Sequence, residues 1–441
     1  MNPRTQSVTV GIVGIGTVGA ALLDLFETND RIIRGKAGCH LQVGVVCDKR
    51  ADRAKIARSR GIRFSTDYRQ VTDDPSVDIV VELVGGTTVA GEVVMRALEN
   101  GKHVVTANKA LLASRWDAVF SLARQRRRAV YFEGAVAGSI PVVQALNEGL
   151  AGNHIRSITG ILNGTTNYIL TTMTAGGRSY AAALAEAQRR GFAEADPTMD
   201  VTGADTAHKL AILSSIAYSR WVKPSHLCVQ GIREVEPEDI SFARGFGYVM
   251  KLLGRGEERD GAYHGEVRPY LIPSDSVFAS VHNEFNAVMI QGSHAGDLVF
   301  VGRGAGGAAA ASAVLSDVIY VARGTAHHTA GLAPYVVYDP DLEVRLANRA
   351  EVPGSFYIRC TAVDRPGVLA QIAAVLGRHQ VSLASVYQKQ PITARPRGVP
   401  VVMLTHRIPE GRLESALAEI DSLTVVKGKP AYYKILDSAG T

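Results

Sequence analysis

Acidic residues and a lysine are concentrated in the stretch from Glu194 to Lys209. The four acids within these sixteen residues are Glu194, Asp196, Asp200 and Asp205. Asp205 and Lys209 stand four positions apart on a predicted helix, so their side chains share one face. Taken alone, this pair is typical of an ordinary helix salt bridge, and the Asp196-Pro197 step is typical of a turn.

Two observations favour a catalytic role for Lys209. Lysine is scarce, with 12 lysines against 36 arginines, and an arginine would serve a surface ion pair equally well. A second lysine, Lys109, closes the run Thr106-Ala107-Asn108-Lys109 directly after a predicted strand. Active sites of parallel sheets lie at the carboxyl ends of the strands, so Lys109 is expected near the reactive end of a dinucleotide. The acidic side chains of this stretch would then bind the ammonium group of an amino-acid substrate. The two lysines would bind and protonate a carbonyl oxygen as the dinucleotide transfers a hydride.

The run Gly14-Ile15-Gly16-Thr17-Val18-Gly19 follows a predicted strand and opens a predicted helix. This is the context of a dinucleotide-binding turn, in which the glycines permit the turn, the approach of a pyrophosphate and close helix packing. The alternative is a glycine turn kept for packing alone. Asp48 ends the second predicted strand but lies further from Gly19 than the usual ~20 residues. Lys49 and Arg50 follow it and would suit a 2′-phosphate, so the choice between NAD and NADP stays open.

Apolar runs separated by amphipathic helices predict a parallel α/β sheet in the first third of the chain. The predicted strands are Val8–Val13, Leu41–Cys47, Asp78–Val84, His103–Thr106 and Val130–Phe132, with helices at Thr17–Phe26, Arg50–Arg60 and Asn108–Arg124. Beyond Pro141 the pattern predicts a strand at Ile155–Leu162, then helices near Thr165–Thr174, Tyr180–Arg190 and Asp205–Tyr218. An antiparallel region at His264–Val301 and a helix at Ala308–Arg323 follow.

The last block of the chain has the order β-α-β-β-α-β of a small ferredoxin-like domain. Its predicted elements are Phe356–Val363, Gly367–His379, Val381–Gln388, Val401–Arg407, Arg412–Ile420 and Val425–Ile435. The segment before it, from Gly324 to Gly354, carries three prolines without a sustained period and is interpreted as a linker.

Composition excludes several classes of protein. The net charge of +6 is small for 441 residues, and the one dense basic run, Arg124 to Arg128, closes a helix, which argues against nucleic-acid binding. The four cysteines are scattered, so neither a disulfide framework nor a zinc site is indicated. No apolar run reaches the roughly 18 residues of a membrane span, and the first ten residues do not read as a signal peptide. We therefore expect a cytoplasmic protein without membrane contact.

The sequence resembles the homoserine dehydrogenase family. The run from Ala187 to Lys209 matches the signature of that family, and so do Gly-Ile-Gly-Thr-Val-Gly and Thr-Ala-Asn-Lys, over the stretch Ser7 to Arg323. The resemblance implies an NAD(P)-binding Rossmann domain (1–140 plus about 307–325), an α+β catalytic and oligomerisation domain (141–306), a linker (326–354) and a regulatory domain (355–441). It implies reversible reduction of L-aspartate 4-semialdehyde to L-homoserine by NADH or NADPH.

The resemblance also implies residue roles. Lys209 would donate the proton to the aldehyde oxygen with Lys109 beside it, Asp205 would orient the reacting hydroxyl, and Glu194 and Asp200 would hold the amino-acid end of homoserine. The implied cofactor contacts are Gly14, Ile15, Gly16, Thr17, Val18, Gly19, Lys109 and Gly306. The implied ligands of a monovalent cation, Na⁺ or K⁺, are Glu133, Val136, Gly138 and Ile140. The sequence around Gly306 departs from the family motif. Arg303 replaces a proline of that motif, and an alanine run follows Gly307.

The C-terminal block resembles an ACT domain, a module that binds amino acids. Its ligand-loop candidates are Asp364, Gly367, Val368 and Leu369, and the implied effector is L-threonine. The alternative is a domain kept only for dimerisation; the family implies a homodimer or homotetramer, and the 264–301 region is one candidate interface. Two other functions remain open: another amino-acid dehydrogenase on this scaffold, and a non-catalytic sensor. A sensor has no need of two lysines placed as proton donors.

Overall fold

The computed structural model describes residues 7–388 and 398–437. The chain divides into two compact units. The first comprises Met1–Gly164, Asp205–Leu227 and Glu284–Val344, and the second comprises Thr165–Ala204, Cys228–Asn283 and Arg345–Thr441. No helix among the described residues is both long enough and apolar enough to cross a membrane.

A six-stranded parallel sheet forms the centre of the first unit. In spatial order its strands are Arg63–Ser65, His40–Cys47, Ser7–Val13, Ile79–Glu82, His103–Thr106 and Val130–Tyr131. This is the order 3-2-1-4-5-6 of a Rossmann fold, in which the connection reverses direction beside the first strand. The predicted parallel sheet is confirmed, and the short strand Arg63–Ser65 was not predicted.

Helices cover this sheet. They are Thr17–Thr28, Asp30–Ala37, Ala54–Arg58, Arg69–Thr72, Val89–Glu99 and Lys109–Arg126. The late helix Gly307–Ala326 joins them, since its Val314 and Val318 lie in the same apolar core as Val10 and Ile12 of the first strand. Long after the last strand of the sheet, the chain therefore returns to complete its core.

The rest of the first unit contains a second, antiparallel sheet. Its strands are Ile155–Ile161, Phe285–Gly292 and Gly296–Arg303, and further helices are Val142–Gln144, the π-helix Ala145–Gly149 and Ala204–Ala217. The segment 327–344 has no helix or strand, yet it is anchored. Tyr335 stacks on Tyr131 with ring centroids 3.7 Å apart, and the hydroxyl of Tyr338 donates to Asp117.

The second unit begins with helices and continues into a long hairpin. The helices are Gly164–Gly176, Tyr180–Arg189, Thr198–Val201 and Pro237–Gly245; the strands are Cys228–Val229, Tyr248–Arg259 and Ala262–Pro273. The antiparallel region was predicted only from His264, so the strand Tyr248–Arg259 corrects that boundary. Charged residues such as Arg255 and Glu257 hid this strand in the sequence pattern. In the structure both are largely buried, and their side chains form an ion pair at 3.0 Å.

The ferredoxin-like prediction for the last block is confirmed. Its strands in spatial order are Ala431–Ile435, Pro353–Ala362, Val399–Thr405 and Leu383–Gln388, with helices Val368–Arg378 and Glu410–Asp421 on the sheet. The last strand also pairs in parallel with the hairpin, through Tyr270 opposite Lys434. The sheet of this block is therefore continuous with the hairpin.

Candidate active site

The first glycine turn has the geometry that a dinucleotide pyrophosphate requires. Gly14 has a φ of +103°, and a Cβ there would lie 2.6 Å from the carbonyl oxygen of Leu83. A Cβ at Gly19 would lie 2.2 Å from the carbonyl oxygen of Gly14, so this position keeps the helix close to the strand. Gly16 instead faces open space, because a Cβ added there would have no atom within 4 Å. The helix that begins at Thr17 presents its free N–H groups there.

Asp48 stabilises this turn. Its Oδ2 accepts a hydrogen bond from the backbone N–H of Ile15 at 2.8 Å, and its Oδ1 accepts one from the N–H of Arg50 at 2.9 Å. Asp48 thus lies at the turn despite its long spacing from Gly19. Lys49 and Arg50 are exposed beside it, and the guanidinium of Arg50 pairs with Asp52.

A second glycine turn lies against the first. Gly306, with a φ of +121°, precedes the helix Gly307–Ala326, and a Cβ at Gly307 would lie 2.7 Å from Cγ2 of Thr17. The N-termini of two helices are therefore adjacent, as an anionic cofactor would favour. Arg303 is exposed, with its guanidinium 6.0 Å from the ring centroid of Phe285.

A buried hydrogen-bond network positions Lys109 just beyond the carboxyl end of the strand His103–Thr106. The fully buried Glu82 accepts hydrogen bonds from the N–H of Val84 at 2.8 Å and from the Thr106 hydroxyl at 2.6 Å. The Thr106 hydroxyl oxygen in turn accepts from the N–H of Asn108, whose side chain caps the following helix at the N–H of Leu111. These bonds fix the turn from which Lys109 projects.

Asp205 joins the two lysines. Its Oδ1 lies 3.0 Å from Nζ of Lys109, and its Oδ2 lies 2.8 Å from Nζ of Lys209. Asn163 donates to Oδ2 at 2.9 Å, and Lys209 donates to the carbonyl oxygen of Leu162 at 2.7 Å. The side chain of Lys209 is 10% exposed, whereas that of Lys109 is 39% exposed. The arrangement is a buried carboxylate between two ammonium groups, one of them open to solvent.

The electrostatics of Asp205 favour its charged form. Burial would raise the pKa of Asp205, but the ammonium groups of Lys209 and Lys109 and the Asn163 amide hold it well below the usual range. A permanent negative charge here stabilises two positive charges at one place. Neighbouring His208 has its pKa lowered by burial, so it stays neutral near pH 7.

The segment 133–140 is a tight buried turn. The carboxylate of Glu133 accepts hydrogen bonds from the N–H groups of Val143 and Gln144, and burial raises the pKa of Glu133 to about 7. Ala137 and Gly138 are both left-handed, with φ of +54° and +61°. Val136 and Ile140 are buried. Among the described residues, no group of three or more His, Cys, Asp and Glu side chains could hold a metal ion.

The acids Glu194 and Asp200 belong to the second unit. Glu194 is exposed, and its carbonyl oxygen accepts from the Gln188 amide at 3.1 Å. Asp200 is half-buried on the short helix Thr198–Val201, and Oδ1 of Asp196 accepts a hydrogen bond from the N–H of Thr198 at 3.1 Å.

The C-terminal loop candidates differ in exposure. Asp364 is exposed, Gly367 has a φ of +84° at the start of the helix, Val368 is buried and Leu369 is 38% exposed. Only the positive φ of Gly367 demands a particular residue in this loop.

Sequence reasoning missed Asn163, Glu82 and Thr106. Asn163 follows the strand Ile155–Ile161 closely, and a polar residue at a strand end was a signal for it. Glu82 and Thr106 stand at the last positions of neighbouring parallel strands, opposite each other in register. Their matching positions at the ends of the two strands were the signal from which this pair could have been inferred.

Comparisons with known proteins identify the family of this chain. Residues 14–133 match the family model of the homoserine dehydrogenase NAD-binding domain, residues 141–319 match that of homoserine dehydrogenase, and residues 356–424 match that of the ACT domain. The chain is 39% identical to the homoserine dehydrogenase of Pseudomonas aeruginosa over 428 residues, covering 96% of this chain and 97% of that protein. It is 33% identical to that of Bacillus subtilis, covering 98% of each.

Solved structures give the same result. A homoserine dehydrogenase from Thiobacillus denitrificans has a TM-score of 0.92 at 38% identity, covering 98% of this chain and 99% of that one. A hyperthermophilic archaeal homoserine dehydrogenase in complex with NADPH has a TM-score of 0.60 at 26% identity, covering 71% of this chain and 97% of that one. This chain therefore belongs to the homoserine dehydrogenase family, NAD(P)-dependent oxidoreductases, and carries an ACT domain.

Proposed function

We propose that Lys209, Lys109 and Asp205 carry out the reversible conversion of L-aspartate 4-semialdehyde to L-homoserine in this chain. The observation that supports this assignment is the pair of ammonium groups held by one buried carboxylate, at 2.8 and 3.0 Å. Such a site stabilises negative charge on a carbonyl oxygen as it becomes an alkoxide. Glu194 and Asp200 would bind the ammonium group of the substrate.

The reaction needs one hydride and one proton in the reducing direction. When bound, reduced nicotinamide would supply the hydride to the aldehyde carbon, while Lys209 donates the proton to the aldehyde oxygen. Lys109, the more exposed lysine, orients the carbonyl and adds positive charge. Asp205 holds both lysine side chains at the site through its two ion pairs, and in the oxidising direction Lys209 accepts the hydroxyl proton.

Both glycine turns fit the cofactor. We assign its pyrophosphate to the open side of Gly16, between the N-termini of the helices that begin at Thr17 and Gly307. Gly14, Ile15, Val18 and Gly19 complete the turn, and Gly306 leads the second helix. Asp48 would meet a free ribose hydroxyl, whereas Lys49 and Arg50 would meet a 2′-phosphate, so activity with NAD⁺ and NADP⁺ should be compared directly.

A monovalent cation fits the segment 133–140. The carbonyl oxygens of Glu133 and Ile140 each accept one hydrogen bond and keep a second lone pair. Together with the carbonyls of Val136 and Gly138 they would supply the hard oxygen ligands that Na⁺ or K⁺ prefers. Turnover in NaCl or KCl should exceed turnover in choline chloride at equal ionic strength.

The ACT domain is assigned to feedback regulation, with L-threonine as the effector and Asp364, Gly367, Val368 and Leu369 as the first candidate contacts. We also infer a homodimer or homotetramer and a cytoplasmic location. The location is supported by four cysteines that are free thiols in the described structure.

One assay tests the function. Purified protein is mixed with L-homoserine and either NADP⁺ or NAD⁺, and reduced cofactor is followed by absorbance with and without L-threonine. Turnover suppressed by L-threonine supports both the enzyme and its regulation. Turnover that ignores L-threonine supports the enzyme alone. Nucleotide binding without turnover would favour the sensor.

A further inference from the structure

A pocket of about 320 Å³ lies in the first unit, and the chemistry proposed above uses none of its residues. One wall comes from the last turns of the helix Lys109–Arg126 and the residues that follow, from Phe120 to Val130. The other wall is the segment Gly331 to Tyr338, which has neither helix nor strand. Three arginines of the first wall line the pocket, so we call it the arginine pocket.

The arginine pocket lies at the edge of the parallel sheet opposite to Lys109. Lys109 follows the carboxyl end of the strand His103–Thr106, and the helix that it opens runs back over the sheet for 18 residues, or roughly 25 Å. The helix therefore ends near the edge at which the strands begin, where the N–H of Ala129 donates to Nδ1 of His103 at 3.0 Å. Cofactor and substrate are expected at the carboxyl edge, so the pocket is a separate site.

The lining of the pocket is positively charged. Its charged residues are Arg124, Arg127 and Arg128, and no described aspartate or glutamate lines it. Arg124 and Arg127 are exposed, and in the part of the chain that the structure describes neither guanidinium pairs with a carboxylate. Arg128 is half-buried, and its Nε is buried without a hydrogen-bond partner among the described residues. Three guanidinium groups therefore line a space that holds no negative charge.

The remaining walls of the pocket are mostly apolar or aromatic. Phe120, Val130 and Tyr338 are buried, whereas Leu332 and Val337 are 65% and 68% exposed. Ligand pockets of proteins begin at about 300 Å³ and combine apolar walls with a few charged groups, so this volume suits a small ligand. Guanidinium groups pair with a carboxylate or a phosphate through two parallel hydrogen bonds and also stack on flat rings. The lining therefore favours an anion that carries an apolar ring.

Close contacts hold the two walls against each other. Gly331 has a φ of +76°, and a Cβ there would lie 2.4 Å from the carbonyl oxygen of Arg127. Arg127 is itself left-handed, with a φ of +53°, at the end of the helix. At the other end of the segment, the hydroxyl of Tyr338 donates to Asp117 of the same helix. The pocket is therefore formed before a ligand arrives, which lowers the entropic cost of binding.

We propose that the arginine pocket binds a small organic anion, with its carboxylate or phosphate paired to the three arginines and its ring against Leu332 and Val337. An anion without a ring would leave the apolar side chains in contact with water. A neutral ring would leave the guanidinium groups without a partner. Binding at this site requires no turnover, so it is independent of the proposed function.

Hydrogen exchange on the full chain locates the ligand without any substitution. Phenyl phosphate and benzoate are the probes, because each joins a ring to one of the two anionic groups. We expect the probe that binds to increase protection in peptides covering 120–131 and 330–338. Increased protection confined to 13–20 and 304–310 would place the probe at the glycine turns and overturn the proposal. Absence of saturable binding by both probes would overturn it equally.

Three variants test the charges by calorimetric titration with the probe that binds more tightly. Arg124→Gln and Arg127→Gln should each weaken binding at least tenfold. Arg126→Gln is the matched control, because Arg126 is an exposed arginine of the same basic run that does not line the pocket, and its variant should bind within twofold of the unmodified chain. All three side chains are exposed, so Tm should not fall. Equal weakening in the three variants would show a diffuse attraction to positive charge and contradict the pocket.

Fragments of the probes separate the anionic group from the ring. Inorganic phosphate and acetate lack the ring, and benzyl alcohol lacks the charge. Each should bind at least tenfold more weakly than the complete probe to which it corresponds. Inorganic phosphate binding as tightly as phenyl phosphate, or acetate as tightly as benzoate, would remove the apolar wall from the site and refute the proposal. A chain that bound a complete probe in the pocket but never turned over homoserine would refute the proposed function and leave the pocket assignment in place.

Discussion

Lys109 and Asp205 are far apart in sequence, yet Nζ of Lys109 lies 3.0 Å from Oδ1 of Asp205. The first residue opens the helix after a strand of the parallel sheet, and the second lies in the first turn of the helix Ala204–Ala217. The pair therefore forms only when the end of the strand His103–Thr106 and the helix Ala204–Ala217 are both in place. The contact between Lys109 and Asp205 is thus a product of the tertiary fold of the first unit.

Replacing Lys209 by Ala should reduce kcat by about 10²–10⁴, because positioned proton donors contribute about this much. Cofactor affinity should be unchanged, since Lys209 bonds to Asp205 and to the Leu162 carbonyl and not to the glycine turns. Steady-state kinetics and cofactor fluorescence measure the two effects. Lys55→Ala is the matched control, and near-normal turnover of Lys209→Ala would disprove the assigned role.

Replacing Asp205 by Asn should lower both kcat and thermal stability, because two ammonium groups lose their counter-charge. Breaking a buried pair typically costs about 3 kcal/mol. Since the pKa of Asp205 is depressed below the ordinary 3.8, its stabilisation is complete above that pH and is lost as pH falls further. The difference in Tm between the two proteins should be constant from pH 5 to 9. A difference that vanished near pH 6 would contradict this assignment of charge.

The two glycines at the first turn should respond differently to Ala. Gly19→Ala forces a Cβ to 2.2 Å from the Gly14 carbonyl oxygen and should destabilise the protein by about 2 kcal/mol. Gly16→Ala has open space and a φ of −74°, so Tm should hold while the KM for cofactor rises. Calorimetry and cofactor titration distinguish the two. Equal loss of Tm in both variants would show that Gly16 is also a packing residue.

Glu194→Leu should raise the KM for homoserine with a smaller effect on kcat, because the residue is assigned to the substrate ammonium group. Stability should not change, since Glu194 is exposed. Initial rates over a range of homoserine concentrations measure the effect, and Glu99→Leu is the control. An unchanged KM would remove Glu194 from the substrate site.

Because Lys251 is buried, we expect the free energy of unfolding to rise with pH. The ammonium group of Lys251 donates to Asn167 at 2.9 Å, and burial lowers the pKa of Lys251 to about 8 from 10.5. The unfolded chain therefore binds the additional proton between these values, so the free energy of unfolding increases as pH rises through this window, by up to about 3 kcal/mol. Tm measured from pH 7.5 to 10 should rise in the unmodified protein relative to Lys251→Met. Lys55→Met should follow the unmodified protein.

Local sequence patterns predicted the parts of the fold whose stabilising contacts are local. Val8–Val13 and its glycine turn were predictable, because an apolar run and a steric requirement both lie within a dozen residues. The strand Tyr248–Arg259 was not, since it carries charged residues such as Arg255 and Glu257, which become buried and pair with each other only in the folded strand. Lys109, Asp205 and Lys209 could be proposed from residue type, but Asn163 joins them by a fold-dependent contact.

The late helix Gly307–Ala326 has a consequence for synthesis. Until it emerges from the ribosome, the parallel sheet lacks the side chains of Val314 and Val318, and the core around Val10 and Ile12 is exposed on that side. Exposed core of this kind is what chaperones recognise and what aggregates. The parallel sheet therefore reaches its stable form only after the helix Gly307–Ala326 has been translated.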